Sequence, residues 1–352
     1  MEAWFLREWQ RNSPWQILLR PLSWVFAVLA GMRRACYRAG ILRRTRLSVP
    51  VIVVGNISVG GTGKTPVVLA IAELLARHGW HCGIISRGYV RGSANSSEDV
   101  MHVKADAFDT GALPDEALLL ARRASVPVYV AANRATAAST LLHAYPQVDV
   151  LICDDGLQHY ALERDLEICV IDGARGFGNG ALLPAGPLRE PVSRLGHVDA
   201  IVVNGPDPDG KLQLRDIAPK VPTYSMSLGN EMLVHLADER IVSIEHGLSE
   251  FSGKTILAAA GTGHPSRFFT HLARLGFRLD KTRAFADHHP FASGDFADAG
   301  AAIILMTEKD AVKCKGFADE RMWFMRVDAI LPDAFSEFVV QRMPERKKLH
   351  VT

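Results

Sequence analysis

The chain has 352 residues, 48% of them hydrophobic, enough to bury a large core and to form two domains. The formal net charge of +2 is uninformative about partners. Five cysteines (Cys36, Cys82, Cys153, Cys169 and Cys314) show no C-x-x-C spacing, which excludes a disulfide framework or a structural zinc site and leaves buried free thiols in a reducing compartment.

The distribution of charge says more than its sum. Residues 1–46 hold nine arginines against Glu2 and Glu8, a local +7, so the other 306 residues carry −5. The same segment carries Trp4, Phe5, Trp9, Trp15, Trp24 and Phe26 and an apolar run from Leu22 to Met32. That run is too short to cross a bilayer, and Arg20-Pro21 interrupts its approach. No A-x-A-like cleavage site of a signal peptide stands in the right place. Arginines beside tryptophans and leucines suit a helix lying in a membrane interface. The competing expectation is a helix packed on the domain with a solvated basic face.

Val49–Val54 is a β-branched run without polar alternation, which predicts a buried parallel strand. Gly55-Asn56-Ile57-Ser58-Val59-Gly60-Gly61-Thr62-Gly63-Lys64-Thr65-Pro66 follows, and residues 66–77 have helical apolar spacing. Strand, glycine-rich turn and helix are the context in which a GK[ST] match describes a phosphate loop. Backbone N–H groups and the helix N-terminus face phosphate oxygens, Lys64 reaches the β- and γ-phosphates, and the Thr65 hydroxyl ligates magnesium. Ser58 stands where the usual pattern has its first glycine; a small residue keeps the turn tight there if its φ is negative.

Strands are predicted at 82–86, 126–131, 148–153, 166–171 and 200–203, with helices at 116–123 and 135–144. Alternation of this kind implies an α/β fold: a P-loop NTPase-type doubly wound parallel sheet. Residues 205–225 are rich in Pro, Gly and Asp, and 224–236 with 239–245 form extended segments of a hairpin or linker. A second, smaller α/β lobe begins at 255–261 and continues through 303–306 and 322–327. The expected boundaries are 1–46 for the basic amphipathic segment, 47–225 for the P-loop core, and 226–352 for the β-hairpin-like linker and smaller lobe.

Val148–Asp155 has the form of a Walker B strand, four or more apolar positions ending in Asp154 and Asp155, whose carboxylates at a strand end can hold a magnesium shell. Gln158 and His159 follow. Phosphoryl transfer to an alcohol needs an acceptor-side base, and Asp115 opens a helix, where N-cap duty is the alternative. Asp287-His288-His289-Pro290 offers histidines that would tune such an aspartate, against the alternative of a solvated loop pair. Arg87, Arg134 and Arg189 with Glu190 complete a set of polar groups near strand ends.

At this point the chain resembles the tetraacyldisaccharide 4′-kinase family, the lipid A 4′-kinases of Gram-negative bacteria, nearly from end to end. The resemblance is carried by the loop 55–65, Ser86-Arg87-Gly88-Tyr89, Asp115-Glu116, Asp154-Asp155-Gly156-Leu157-Gln158-His159, Leu183–Glu190, Asp287-His288-His289 and Thr307–Lys313. It implies ATP-dependent phosphorylation of the 4′-hydroxyl of a lipid disaccharide 1-phosphate by a peripheral enzyme at the cytoplasmic face of the inner membrane. It implies ATP and Mg²⁺ as cofactors, the lipid disaccharide and the anionic inner-membrane surface as partners, and neither nucleic acid nor an obligate protein partner. Asp115 would be the base and His288, which directly follows the aspartate of the pattern, its partner, with adjacent His289 competing. Ser58, Val59, Gly60, Gly61, Thr62, Gly63, Lys64, Thr65 and Arg189 would hold the nucleotide. Thr65, Asp154, Asp155 and Glu190 would serve the metal, and Arg87, Tyr89, Arg134, Gln158 and His159 the substrate. With the boundaries above, Asp115 and His288 fall in different lobes, so lobe closure would assemble the pair.

Two other classes fit less well. A membrane-targeted partitioning ATPase has a lysine before the paired glycines, where this chain has Val59. A guanine-reading [NT]-K-x-D needs a residue between Lys309 and Asp310, and none intervenes.

Overall fold

The structure, a computed structural model, describes residues 8–9, 14–88, 100–106, 113–208, 210 and 212–344. Tyr89, Arg7 and Arg11 lie outside the described residues. In chain order the α-helices of seven residues or more are α1 (Pro14–Arg38), α2 (Lys64–Arg77), α3 (Asp115–Arg123), α4 (Arg134–Ala144), α5 (Ile244–Glu250), α6 (Pro265–Arg274), α7 (Glu308–Cys314) and α8 (Asp333–Arg342). The strands are β1 (Val51–Gly55), β2 (Cys82–Arg87), β3 (Met101–Val103), β4 (Val128–Ala131), β5 (Val150–Asp154), β6 (Leu166–Asp172), β7 (Ala200–Asn204), β8 (Thr223–His235), β9 (Ile241–Ser243), β10 (Ile256–Ala260), β11 (Lys281–Ala284), β12 (Ile303–Thr307) and β13 (Met322–Ile330).

The chain divides into two compact units. The first comprises residues 1–87, 133–227 and 329–352, and the second 88–132 and 228–328. This differs from the single core expected over 47–225: residues 88–132, with α3, β3 and β4, belong to the second unit. Where the chain returns to the first unit, β4 and α4 follow one another across a short turn, so no local pattern marks that change of unit. Nor is the basic N-terminal segment a separate unit, because α1 belongs to the first.

In the first unit the strand order is β8-β7-β6-β1-β5-β2, and the pairs along it are parallel. β1 lies between β5 and β6, with Val54 opposite Asp154 and Gly55 opposite Cys169. The strand order reverses at β1, so its C-terminal end opens at the crevice where doubly wound sheets take ligands. All five residues of β1 and of β5 are buried, as expected of parallel strands covered on both faces.

The second unit carries the parallel order β11-β10-β12-β13, an antiparallel β3–β4 pair, and the expected hairpin, in which β8 pairs antiparallel with β9. Leu257, Ala259, Ile304 and Met306 pack in one core cluster, and Ile256, Ala258, Ile303 and Leu305 in another. This period-2 split shows that both sheet faces are covered. β11, with the sequence Lys-Thr-Arg-Ala, is an exposed edge strand whose composition carries no apolar signal.

One charged group in the first unit is buried as deeply as the apolar core. Arg194 is 1% exposed and donates to both oxygens of Glu167 at 2.6 and 2.7 Å, while Arg164 pairs with the same carboxylate at 2.8 Å. Burial works against the Arg194 charge, but Glu167 outweighs it and holds the guanidinium above its ordinary value. Removing one partner of a buried pair strands the other, at a cost of about 3–5 kcal/mol. Arg194→Met is therefore expected to lower stability by about 3 kcal/mol, read as a fall in the urea midpoint with an unchanged slope. A shift under about 1 kcal/mol would show that Glu167 finds its compensation elsewhere.

Candidate active site

In the first unit, the loop from Asn56 to Gly63 joins buried β1 to the first turn of α2. Gly63, just before the helix, has φ +88°, and a Cβ there would lie 2.4 Å from the Asn204 amide nitrogen, so only glycine fits. Ser58 is not among the non-glycine residues at positive φ and bridges Leu188, so its side chain costs the turn nothing. The Val59 N–H donates to Pro187 O at 2.8 Å and the Arg189 N–H to Ile57 O at 2.7 Å, which fastens residues 187–190 along the loop. Asn56 Nδ2 donates to Thr62 Oγ1 at 3.3 Å, and Asn204 Nδ2 to Thr62 O at 3.1 Å.

Cations gather around this loop. Lys64 Nζ lies 3.3 Å and Arg189 Nη1 3.1 Å from the Asp155 carboxylate, and Arg134 Nη2 donates to the Asp155 carbonyl at 2.7 Å. Asp155 itself sits at φ +49°, a left-handed conformation that aspartate tolerates better than most residues. Burial pushes its carboxyl up, but Lys64, then Arg189 and Arg134, hold it well below the usual carboxylate range. Asp154 is buried at the end of β5 and accepts the Ser86 hydroxyl at 3.1 Å. Arg175, which carried no sequence signal, donates to Val59 O at 3.0 Å and Gly61 O at 3.3 Å across the loop.

Glu190 is buried; Tyr160 donates to one of its oxygens and Gln158 Nε2 to the other, the latter at 3.0 Å. Gln158 also donates to Asn56 O at 2.9 Å, tying this acid to the foot of the loop. His159 is held neutral: burial, then Arg134, Arg164, Arg33 and Arg87, lower its imidazole to about 4. The first unit thus brings together Lys64, Asp155, Arg189 and Arg134, with Gln158 and Glu190 beside them. Among the described members of the expected substrate set, Arg87, at the exposed end of β2, is placed most toward solvent.

In the second unit, Asp115 is the first residue of α3 and is not its cap; Pro114 holds that position with no side-chain hydrogen bond. The Asp115 Oδ2 atom lies 3.0 Å from His288 Nδ1 and 3.4 Å from Lys313 Nζ. Asp115 and His288 lie in the same unit, so the pair forms without any closure of lobes, contrary to the expectation from the sequence. The two histidines also separate: His289 Nε2 lies 3.1 Å from Asp295, and its ring stacks near Phe285 and Phe291. His288 has φ +57°, strain of the kind that collects where a side chain must be aimed.

Sequence reasoning missed the cations behind this pair. The Lys313 side chain is 2% exposed, with Nζ 3.1 Å from Asp310 Oδ1 and 4.9 Å from the centre of the Phe291 ring. Asp310, wholly buried, accepts the Gly261 N–H at 2.8 Å and the Thr307 hydroxyl at 2.6 Å. Lys309 bridges Glu116 at 2.8 Å and Asp287 at 3.2 Å. The signal was present in Thr307-Glu308-Lys309-Asp310-Ala311-Val312-Lys313, where Asp310 and Lys313 stand one helical turn apart. Burial pushes the Asp115 carboxyl up, but the His288 hydrogen bond, then Lys313 and Lys309, hold it below the usual value. The hydrogen bond to Asp115 raises His288 above its ordinary value despite its partial burial.

Residues 15–344 match the tetraacyldisaccharide-1-P 4′-kinase family, LpxK. The chain belongs to this family. Among its relatives, the tetraacyldisaccharide 4′-kinase of Methylobacillus flagellatus is 45% identical over 340 residues, covering 97% of this chain and 96% of that one. The enzyme of the same name from Herminiimonas arsenicoxydans is 45% identical over 351 residues, with 97% and 96% covered. A crystal structure of LpxK from Aquifex aeolicus in complex with ATP superposes with a TM-score of 0.76 at 28% identity, over 94% of this chain and 99% of that one. The family membership bears out the kinase expected from the sequence, and the likeness to that structure bears out the P-loop α/β fold.

The raised His288 value sets a pH window. A group whose folded value lies above its unfolded value, near 6.5, stabilises the fold below 6.5 and loses that contribution as pH rises through the folded value. The stability difference between wild type and His288→Gln should therefore be largest near pH 5.5 and shrink above pH 6.5, as read from urea midpoints across pH. A difference that grew with pH would mean the imidazole is held neutral in the fold.

Proposed function

We infer that this chain transfers the γ-phosphoryl group of ATP to the 4′-hydroxyl of a tetraacyldisaccharide 1-phosphate, giving the 1,4′-bisphosphate of lipid A biosynthesis. The observation that carries the reading is the pairing of buried Asp115 with His288 at 3.0 Å. A regulatory ATPase needs a phosphate loop but no acceptor-side base, whereas an alcohol kinase needs both.

In the first unit, Lys64 would exchange the Asp155 carboxylate for the β- and γ-phosphates, with Arg189 following the same negative charge. Thr65, Asp154 and Asp155 supply hard oxygen donors suited to Mg²⁺, which keeps several waters and takes one or two carboxylates. Among the described residues no closed cluster of His, Cys, Asp or Glu competes with them. Bound there, the ion would neutralise charge developing on the phosphate oxygens. Glu190 spends its oxygens on Tyr160 and Gln158, so its metal role would require a partner to move.

In the second unit, the contacts of Asp115 fall on Oδ2, and Oδ1 is the oxygen that would take the sugar hydroxyl. A carboxylate held below its usual value is a weak base. A weak base suffices where the transition state is loose and the proton leaves late. His288 and Lys313 keep Asp115 ionised and aimed, and neutral His159 would serve the substrate as a hydrogen-bonding group without a charge.

Helix α1 supports a peripheral location at the cytoplasmic face of the inner membrane. Its polar residues Gln16 and Ser23 are buried, with the Ser23 hydroxyl donating to Leu182 O at 2.9 Å, while Leu18 is 72% and Trp24 68% exposed. A helix with its polar positions inward and its apolar positions outward suits a lipid interface better than water. The helix runs unbroken through Pro21 for 25 residues, so by length and composition it could also cross a bilayer, and the short apolar run does not set its limit.

The decisive assay is transfer of labelled γ-phosphate from ATP to the tetraacylated disaccharide 1-phosphate in detergent micelles; no transfer would overturn the reading. Lys64→Ala should leave less than a tenth of wild-type kcat, a loss above about 1.4 kcal/mol. Asp115→Asn should lower kcat by ~10²–10⁴ with ATP binding little changed. Lys313→Met removes a charge that holds Asp115 ionised, so the acidic limb of its kcat/KM profile should move to higher pH. An unmoved limb would show that Lys313 acts through packing alone. Leu18→Glu with Trp24→Glu should release the protein from anionic vesicles and raise KM for lipid while KM for ATP stays put. Unchanged vesicle sedimentation would sink the interfacial helix.

A further inference from the structure

Where α1 ends, the first unit holds a pocket of about 400 Å³ whose lining includes six arginines against two glutamates. Half of this positive charge is spoken for. Arg46 pairs with Glu163 at 3.3 Å and Asp165 at 2.9 Å, and Arg164 and Arg194 both pair with Glu167. Arg34, Arg38 and Arg44 form no ion pair among the described residues. Burial pulls Arg34 below its ordinary value; repulsion from Arg194 and Arg38 adds to this, while Tyr160 and Glu190 oppose it.

A basic last turn complements a helix dipole, which accounts for Arg38 and in part for Arg34. It does not account for Arg44, which lies beyond the helix, nor for a cavity lined by arginines. Three guanidiniums without an ion pair around a concave space repel one another, and a bound oxyanion would offset that cost with bidentate hydrogen bonds. The surroundings indicate where the anion comes from. Along α1 the outward positions Val25, Val28, Leu29 and Met32 are more than half exposed, and Ile41, just past the helix, is 73% exposed. If that apolar face enters a lipid interface, the arginines at its end stand at the depth of the headgroup phosphates.

We propose that the pocket of Arg34, Arg38 and Arg44 is a binding site for the phosphate of an anionic membrane phospholipid, separate from the nucleotide loop. The proposal takes α1 as an interfacial helix, but a soluble lipid tests the pocket without testing that placement. One anionic headgroup would be held in a defined site, in addition to the diffuse attraction of a basic segment for an anionic surface.

The experiment is titration of the full chain with dihexanoyl-phosphatidylglycerol below its micellar concentration, followed by ³¹P NMR in 0.15 M salt. Saturable binding is expected, and R34Q/R38Q/R44Q should weaken it at least about tenfold, since each basic group near such a phosphate contributes substantially. The control R20Q/R77Q/R215Q removes the same charge from exposed positions outside the pocket and should change binding by less than about twofold, because distant charges are screened over ~8 Å at this salt. Removing unpaired cations should leave the melting temperature unchanged or raised. Should the triple variant melt early, Arg44→Gln alone, at an exposed position, should still weaken binding about threefold. Equal weakening by pocket and control variants would overturn the site. Inorganic phosphate binding as tightly as the lipid would reduce it to a free-phosphate site. Displacement of the lipid by glucosamine 1-phosphate at comparable concentration would assign the pocket to the sugar phosphate of the substrate.

Discussion

The first unit is organised around the need to hold several cations together before any phosphate arrives. Lys64 opens α2, Arg189 comes from the segment fastened to the loop, and Arg134 opens α4, three separate parts of the chain. Like charges so placed would repel, and the Asp155 carboxylate and carbonyl are what they share. This explains why a non-glycine residue accepts φ +49° at the end of the strand that lies beside β1. The left-handed turn costs about 1 kcal/mol or more, and it places the carboxylate toward Lys64 and Arg189 while turning the carbonyl toward Arg134. Asp155 is therefore the shared counter-ion of Lys64 and Arg189, and its carbonyl holds Arg134 beside them.

The second unit solves the opposite problem, an anion that must stay ionised while partly buried. Asp115 alone would be pushed toward its protonated form by burial, and a protonated carboxyl cannot take a proton. His288 supplies a hydrogen bond, and Lys313 a charge that is itself buried and anchored on Asp310. Asp310 is in turn fixed by the Thr307 hydroxyl and the Gly261 N–H at the ends of β12 and β10. The strands thus set the position of the lysine, and the lysine helps set the charge of Asp115. Lys309 repeats the device one layer out, bridging Glu116 and Asp287, the neighbours of Asp115 and His288 in sequence.

Much of this was legible in the residues, and the failures have physical causes. β1, β5, β6 and β7 are largely buried, so their sequences are dominated by apolar runs, broken in β6 by the ion-paired Glu167. β11 went unseen because it is an exposed edge, where packing makes no demand on composition. Ser58 was read correctly because the constraint at that position is on backbone sign, which a small side chain can meet. Assigning Asp115 and His288 to different lobes failed for a topological reason. Residues 88–132 join the second unit, and the path of a chain between units leaves no mark on hydrophobic periodicity, which records burial but not which core does the burying. The choice between His288 and His289 was equally hidden, since it depends on Asp295 and Phe285 as alternative partners for the second ring.

Helix α1 inverts the rule that organises the rest of the molecule. Elsewhere most large apolar residues are buried; here Gln16 and Ser23 are buried while Trp15, Leu18, Leu22, Trp24 and Leu29 are exposed. The inversion can hold because the contacts of α1 with the first unit are polar and specific. The Ser23 hydroxyl donates to Leu182 O and accepts the Ala185 N–H at 3.0 Å, and Arg33 reaches Gln158 O at 3.5 Å. Those partners lie in or beside the segments that form the loop's surroundings, Leu183–Glu190 and Asp154–His159, so whatever restrains the helix also bears on the nucleotide site. A helix attached by side-chain hydrogen bonds leaves its whole apolar face available, whereas one attached by apolar packing would have spent that face on its own domain. The exposed apolar face of α1 and the loop from Asn56 to Gly63 are thereby two sides of one hydrogen-bonded structure.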